Sequence, residues 1–149
     1  MSLTLISLVV VVLDQITKYF VTTQMFEGMS IPVWQNVFHF TFVLNPGAAF
    51  GLLEHSRWFF VAMASAVLLV VFYWRAVIQA EPRPLQVGIA LFAGGALGNL
   101  IDRIHTGLVI DFFDFRIWPV FNIADIAICV GVGLILWTTI KTECCKTNQ

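Results

Sequence analysis

GNLIDR at residues 98–103 and WPVFNIAD at residues 118–125 bound a stretch that contains four of the chain's five aspartates. The segments on both sides of this stretch are apolar and long enough to cross a bilayer. A charge at the bilayer centre costs about 2.5–3.5 kcal/mol even on an insertion scale, so carboxylates there need compensating partners. Because ionisable residues in such surroundings usually serve a function, the stretch predicts a functional site.

The composition indicates a multi-pass membrane protein. Of 149 residues, 59% are hydrophobic and only 11% are charged, against about 25% charged in soluble domains. The net charge of −1 indicates no nucleic-acid partner. The three cysteines have no framework spacing and are interpreted as free thiols. The N-terminal apolar run has no basic n-region and no small-residue cleavage site, so we expect a retained span.

Four apolar segments predict an all-α polytopic fold in a single domain, residues 1–149. The predicted transmembrane helices cover residues of about 3–21, 58–74, 85–104 and 119–140. In the third helix, Gly94 and Gly98 form a small-xxx-small step, which predicts close packing against a neighbouring helix. Gly107 is expected to end that helix.

The segment between the first two helices is predicted to contain strands, at about residues 30–44. Phe38, Phe40 and Phe42 alternate with polar or smaller residues, which is the period of a strand. The following NPGAAFG, residues 45–51, indicates a turn whose small residues let backbone approach another group closely.

Polar residues within the predicted helices share helical faces. Asp14 and Lys18 are four apart in the first helix and can pair. One interpretation is a structural ion pair with Lys18 snorkelling to the headgroups, and the other is a brace for a polar site between helices. In the third helix, Asn99, Asp102 and Arg103 share a face, although Asp102–Arg103 could be a simple interfacial pair.

The fourth helix is predicted to begin at Pro119, because proline is favoured at the first helical position. Asn122 and Asp125 then share a face, with Asp125 about 9 Å along the helix. Four basic residues lie on the side of the termini and three on the other side. Since basic residues favour the cytoplasm, both termini are expected inside and the polar motifs at the outer leaflet.

A carboxylate pair is the hydrolytic chemistry that fits this sequence. The sequence contains no HExxH, no histidine cluster for zinc, no Gly-x-Ser-x-Gly elbow and no serine beside Lys18 on its helical face. No metal and no other cofactor is therefore expected. Two carboxylates about 3 Å apart share one proton, so one can activate water while the other donates to a substrate carbonyl. Asp125 is the best first member, and spacing leaves Asp111, Asp114 and Asp102 open as its partner.

Five short motifs, in this order, resemble those of the lipoprotein signal peptidase (signal peptidase II) family over nearly the whole chain. They are DQxxK at 14–18, NxGAAFG at 45–51, GNLIDR at 98–103, VxDF at 109–112 and FNxAD at 121–125. The resemblance implies an aspartic endopeptidase of the bacterial cytoplasmic (inner) membrane. It implies cleavage of prolipoproteins just before the diacylglyceryl-modified cysteine.

The resemblance also implies roles for individual residues, with the catalytic dyad on Asp111 and Asp125. The implied substrate-binding or supporting residues are Asn45, Gly47, Asn99, Asp102, Arg103, Asn122, Asp14 and Lys18. The resemblance further implies that residues 30–44 form an extracytoplasmic β cradle between helices 1 and 2, which is expected to lie on the membrane surface. Asp114 matches no family motif and is expected to be solvated or interfacial. The implied partners are diacylglyceryl-modified prolipoproteins and membrane lipids, and we expect a monomer.

The alternative from another class is a small non-enzymatic channel or transporter subunit, whose carboxylates would form a proton or cation path. Such a path should have ionisable groups through the whole depth of the membrane. Here the polar groups cluster in the predicted outer half, which counts against this alternative.

Overall fold

The structure is a computed structural model that describes residues 3–47 and 56–147, with side chains described up to residue 144 at the C-terminal end. The helices are α1 (Leu3–Gln24), α2 (Arg57–Tyr73), α3 (Arg75–Ala80), α4 (Arg83–His105) and α5 (Ile123–Thr147). The strands are β1 (Ser30–Trp34), β2 (Phe38–Asn45) and β3 (Val109–Asp114). Most of the NPGAAFG motif, residues 48–51, lies outside the described residues.

Helix α4 is the central element and packs against α1, α2 and α5. Its glycines permit this close packing. A Cβ at Gly94 would lie 2.9 Å from the backbone oxygen of Ser7, and one at Gly98 would lie 2.6 Å from a carboxylate oxygen of Asp14. Larger residues would force the helices apart, so the close approach predicted from the Gly94–Gly98 step is present.

The bundle is apolar on its outer surface and carries polar groups inside. On α1 the buried stripe is Ile6, Val10, Asp14, Lys18 and Val21, whereas leucines, valines and aromatics of its other faces are exposed. Helices α1, α4 and α5, the last over Ile123–Cys144, are long and apolar enough to cross a membrane. Helix α2 is apolar but has 17 residues, so length and composition identify three spans among the described residues.

The three strands form an antiparallel sheet in the order β1-β2-β3. Strand β3 lies between α4 and α5, outside the range of about residues 30–44 in which the sequence predicted strands. Its register against β2 places Asp111 opposite Val43 and Val109 opposite Asn45. Because β3 pairs with a strand that precedes it by more than one helix, its own short sequence could not predict the pairing.

Helix α5 begins at Ile123 rather than at Pro119. Phe121 is held in a bridge with Phe113 of β3, so the chain stays extended until Asn122. The predicted position of Asp125, about 9 Å along its helix, is therefore wrong, since Asp125 lies in the first turn. At the end of α4 the prediction is confirmed: Gly107 follows the last turn with φ +89°, a conformation that suits glycine.

Candidate active site

Asp111 of β3 and Asp125 of α5 line the same cavity, which has a volume of about 550 Å³. Asp111 is 2% exposed and Asp125 is half-buried. Asn45, Asn99 and Arg103 also line this cavity. These five residues belong to four separate motifs in the sequence, and the structure brings them together from four elements, β2, β3, α4 and α5.

The β2–β3 pairing places Asn45 beside Asp111. The Asn45 Nδ2 donates to Asp111 Oδ2 over 2.9 Å, while Asn45 Oδ1 accepts from the backbone N–H of Gly47, also over 2.9 Å. The second bond is the local side-chain-to-backbone turn that asparagine favours. It holds the amide so that its nitrogen faces the carboxylate.

Asn122 joins the two carboxylates because it begins α5 with a reciprocal cap. Its Oδ1 accepts from the backbone N–H of Asp125 over 3.0 Å, and Asp125 Oδ2 accepts from the backbone N–H of Asn122 over 3.1 Å. This is a capping box, here built from Asn and Asp. The Asn122 Nδ2 then donates to Asp111 Oδ1 over 2.7 Å. The N-x-x-D spacing was the sequence signal for this helix start.

Burial raises the pKa of Asp111 to about 7, and the neighbouring charge of Asp125 adds to the shift. The hydrogen bonds from Asn45 and Asn122 and the charge of Lys18 act in the opposite direction. Desolvation prevails because the carboxyl group is nearly inaccessible to water. Asp111 therefore keeps a proton at a pH at which an exposed aspartate has lost it.

A buried charge cluster lies behind the cavity, where α1 packs on α4. The Lys18 Nζ lies 2.8 Å from Asp14 Oδ2, 2.7 Å from Asp102 Oδ2 and 3.0 Å from Asn99 Oδ1. Lys18 is 2% exposed, so the snorkelling interpretation is wrong and the bracing interpretation fits the geometry. Asp102 pairs with Lys18, on another helix, instead of with Arg103.

This cluster is connected to both elements that carry the cavity's carboxylates. Asp14 Oδ1 accepts from the backbone N–H of Ala124 in the first turn of α5, over 3.0 Å. An anion there is favoured by the helix dipole and satisfies a free N–H group. Asp102 Oδ2 accepts from the backbone N–H of Ile110 in β3, over 3.2 Å. The cluster thus supports the backbone next to Asp111 and next to Asp125.

Arg103 has a separate position at the cavity. Its Nη2 donates to the backbone oxygen of Gly47 over 2.9 Å, and its guanidinium carbon lies 4.5 Å from the centre of the Phe60 ring. Cation–π contact of this kind is typical of arginine beside an aromatic face. Arg103 therefore links α4 to α2 and to the end of the β2 segment.

Asp114 was expected to be solvated or interfacial, and the expectation of a solvated side chain is wrong. It is 5% exposed and accepts hydrogen bonds from Thr41 Oγ1, Arg116 Nη1 and the backbone N–H of Arg116, each over 2.8 Å. Burial acts to raise its pKa, but the bonds from Thr41 and Arg116 outweigh it and hold the pKa below the usual value. Arg116 has φ 66°, so Asp114 stabilises the unusual turn that leaves β3.

Two contributors to the site had no functional role assigned from the sequence, although one of them, Gln15, belongs to the DQxxK motif. Gln15 Nε2 donates to Asp102 Oδ1 over 3.0 Å and to Asp14 Oδ2 and the Gly98 oxygen over 3.2 Å each. Cys129, interpreted only as a free thiol, lines the cavity one turn beyond Asp125. The i, i+4 spacing from Asp125 was the signal for Cys129. In the described part of the chain, no three His, Cys, Asp or Glu side chains are grouped to hold a metal ion.

The fold and the site define a polytopic membrane protein with two carboxylates in one cavity. The model of a protein family described as Signal peptidase (SPase) II matches residues 6–141 of this chain. The chain therefore belongs to the signal peptidase II family, and it is a bacterial integral membrane protease.

Similar proteins cover almost the whole chain. A lipoprotein signal peptidase of Pelotomaculum thermopropionicum is 47% identical over 95% of this chain and 93% of its own length. One of Moorella thermoacetica is 44% identical over 92% and 91%. A solved structure described as a bacterial membrane enzyme has a TM-score of 0.86 at 39% identity, covering 93% of this chain and 87% of its own. These similarities give no support to the channel or transporter alternative.

Proposed function

We propose that this chain is an aspartic endopeptidase that removes signal peptides from bacterial prolipoproteins, cutting just before the diacylglyceryl-modified cysteine. The observation that carries the proposal is the cavity shared by Asp111 and Asp125, with Asn122 hydrogen-bonded to both. The relatives named above, which are lipoprotein signal peptidases, supply the substrate class.

The two carboxylates divide the acid and base roles. Asp111 holds the shared proton near neutral pH, as its raised pKa of about 7 supports. Asp125 acts as the base, because it is the more exposed carboxylate and lies next to the open cavity. A pair of carboxyl groups that holds one proton between them is the usual arrangement for this chemistry.

The reaction follows from these roles. Asp125 takes a proton from water as the water oxygen bonds to the carbonyl carbon, and Asp111 donates its proton to the carbonyl oxygen. The tetrahedral intermediate then collapses, the C–N bond breaks, and the proton held by Asp125 goes to the leaving amine. Asp111 recovers its proton from the hydroxyl group of the intermediate, so the dyad ends in its starting state.

The shape of the cavity supports a lipidated substrate. Beyond the dyad the cavity is lined by Ile126, Cys129 and Val130 of α5 and by residues 118–121. This part is apolar and suits acyl chains or an apolar signal peptide, whereas Arg103 provides a polar group near the dyad. Two acyl chains give stable membrane anchoring where one is marginal, so the lipid fixes the depth of the cysteine.

We also propose that α2 is the fourth span, with both termini in the cytoplasm and the sheet and cavity at the extracytoplasmic face. Helix α2 has 17 residues, about 26 Å at 1.5 Å per residue, and Trp58 and Trp74 mark its ends as interfacial anchors. Reporter fusions to the two termini and to the loop at Glu81 should all report cytoplasm. An extracytoplasmic signal from any of the three would contradict this topology.

Cleavage by the purified protein tests the proposed function. A synthetic prolipoprotein peptide with a diacylglyceryl cysteine is incubated in detergent micelles with wild type, Asp111→Asn, Asp125→Asn and Asp114→Asn, and the products are identified by mass spectrometry. Wild type and Asp114→Asn should cut before the modified cysteine, and the other two should be inactive although folded. Activity in Asp111→Asn with loss in Asp114→Asn would overturn the assigned dyad.

A second arm of this assay tests the role of the lipid. The same peptide without the diacylglyceryl group is compared side by side, in micelles that take up both peptides fully. We expect the unmodified peptide to be cut far more slowly. Equal rates would show that the lipid does not position the scissile bond.

A further inference from the structure

Three asparagine amides point their N–H groups at the carboxylates, and each is held in that orientation by a donor on its oxygen. Asn45 Oδ1 accepts from the backbone N–H of Gly47, and Asn122 Oδ1 accepts from the backbone N–H of Asp125. Backbone N–H groups can only donate, so neither amide can rotate by 180° without losing that bond. Their nitrogens therefore face the carboxylate side of the site.

The third amide, that of Asn99, is anchored by side chains instead. Its Nδ2 donates to Asp125 Oδ1 over 2.8 Å. Its Oδ1 accepts from Lys18 Nζ over 3.0 Å and from Asn122 Nδ2 over 3.1 Å. A charge-assisted bond is roughly twice as strong as a neutral one, so Lys18 is the dominant anchor.

We propose that Lys18 is a positioning residue for peptide cleavage: its ammonium group fixes the side-chain oxygen of Asn99, so that the Asn99 amide donates to Asp125. Without the ammonium group only the weaker, neutral bond from Asn122 Nδ2 holds the Asn99 oxygen, so the amide can rotate more readily and present that oxygen to the carboxylate, which repels it. Asp125 would then lose a side-chain donor that holds it in place. This role rests on the proposed function and goes beyond bracing the helices.

The surroundings of Lys18 explain how a lysine can orient another side chain. Asp14 and Asp102 form salt bridges with the ammonium group, over 2.8 and 2.7 Å. Gln15 Nε2 donates a hydrogen bond to each of these carboxylates. The ammonium group therefore has little freedom to move. Lys18 is 2% exposed and is not among the residues that line the cavity, so it acts on the reaction only through its neighbours.

Steady-state kinetics of Lys18→Met test the proposal, because they separate turnover from substrate binding. We expect kcat per folded enzyme to fall about 10- to 100-fold, while KM stays within about twofold. The matched control is Ser7→Ala, which removes the 2.8 Å bond from Ser7 Oγ to the Ala90 oxygen at the same α1–α4 interface. The control should lower the melting temperature without changing kcat.

A double-mutant cycle with Asn99→Ala distinguishes positioning from a general structural role. If Lys18 acts through Asn99, Lys18→Met should cost less than about threefold in kcat once Asn99 is alanine. A full 10- to 100-fold loss in both backgrounds, or an unchanged kcat in Lys18→Met alone, would overturn the proposal. Failure of the proposed function is recognised separately, because wild type itself would then not cut the lipidated peptide.

Misfolding of the single variant does not remove the test. Lys18→Met leaves two buried carboxylates without their cation, which is a large cost for a buried pair. The double variant Lys18→Met/Asp102→Asn removes one charge of each sign and keeps Asp14. Its kcat should be about 10- to 100-fold below that of Asp102→Asn alone at constant KM, and equal turnover of these two variants would also overturn the proposal.

Discussion

Replacing Asp111 by asparagine should stabilise the protein at neutral pH, although we expect the same change to abolish cleavage. Asp111 has its pKa raised from 3.8 to about 7 by burial and by the charge of Asp125. Between these two values the unfolded chain has released the proton and the folded protein still holds it. The free energy of unfolding therefore falls as the pH rises through this window.

The size of the effect follows from the two pKa values. At 1.36 kcal/mol per pH unit, the interval from 3.8 to about 7 corresponds to about 4 kcal/mol lost by wild type between pH 4 and pH 7. The amide introduced by Asp111→Asn does not titrate, so the variant avoids this loss. Its NH₂ group faces the Nδ2 donors of Asn45 or Asn122, which costs about 1 kcal/mol at every pH. The net gain at pH 8 is thus about 3 kcal/mol.

Thermal unfolding of wild type and Asp111→Asn in detergent, at pH 4.5 and pH 8, measures this difference. The variant should melt at or slightly below the wild-type temperature at pH 4.5 and roughly 10 °C above it at pH 8. Asp114→Asn is the control, since Asp114 is buried but its pKa is lowered rather than raised. The same difference in melting temperature at both pH values would refute the reasoning.

Three further predictions concern other parts of the site. Gly98→Ala places a Cβ 2.6 Å from a carboxylate oxygen of Asp14 and should lower the free energy of unfolding by about 1–3 kcal/mol. Gly133→Ala is the control, because its Cβ would have no other atom within 4 Å, and it should not destabilise the protein. Melting curves of the two variants in detergent measure the difference. Asn45→Ala removes a hydrogen bond that lowers the pKa of Asp111, so this pKa should rise in the variant. The alkaline limb of the pH profile of cleavage should therefore move to higher pH, and a shift to lower pH would contradict this prediction. Cleavage should survive EDTA, because the chemistry is assigned to carboxylates; loss with EDTA and recovery with zinc would refute that assignment.

Two errors in the predicted elements have one physical origin. Strand β3 and the late start of α5 both depend on pairing between residues 109–114, β2 and Phe121. A six-residue run with two aspartates has too weak a β propensity to predict a strand. Pro119 was the signal that predicted the earlier start of the helix. Tertiary pairing prevailed over these local signals, and it moved Asp125 into the first turn of α5.

Spacing along the chain predicted only one of the two ion pairs of Lys18. Asp14 and Lys18 are neighbours on one helix, and their pair follows from the 3.6-residue period. Asp102 instead reaches across to Lys18 on α1, although Arg103 adjoins it in sequence. Consecutive residues point about 100° apart on a helix, so the packing of α1 on α4 decides which cation a carboxylate meets.

The sequence by itself determined the class of protein, the main apolar helices and the residues that carry the candidate chemistry. Hydrophobic length and the scarcity of charge are local properties, and five ordered motifs were enough for the resemblance to a family. Only the tertiary structure decided which polar groups share a cavity, how the three asparagine amides are oriented and why Asp114 is buried at a turn. These features depend on contacts between elements that are far apart in the chain, and packing alone brings those elements together.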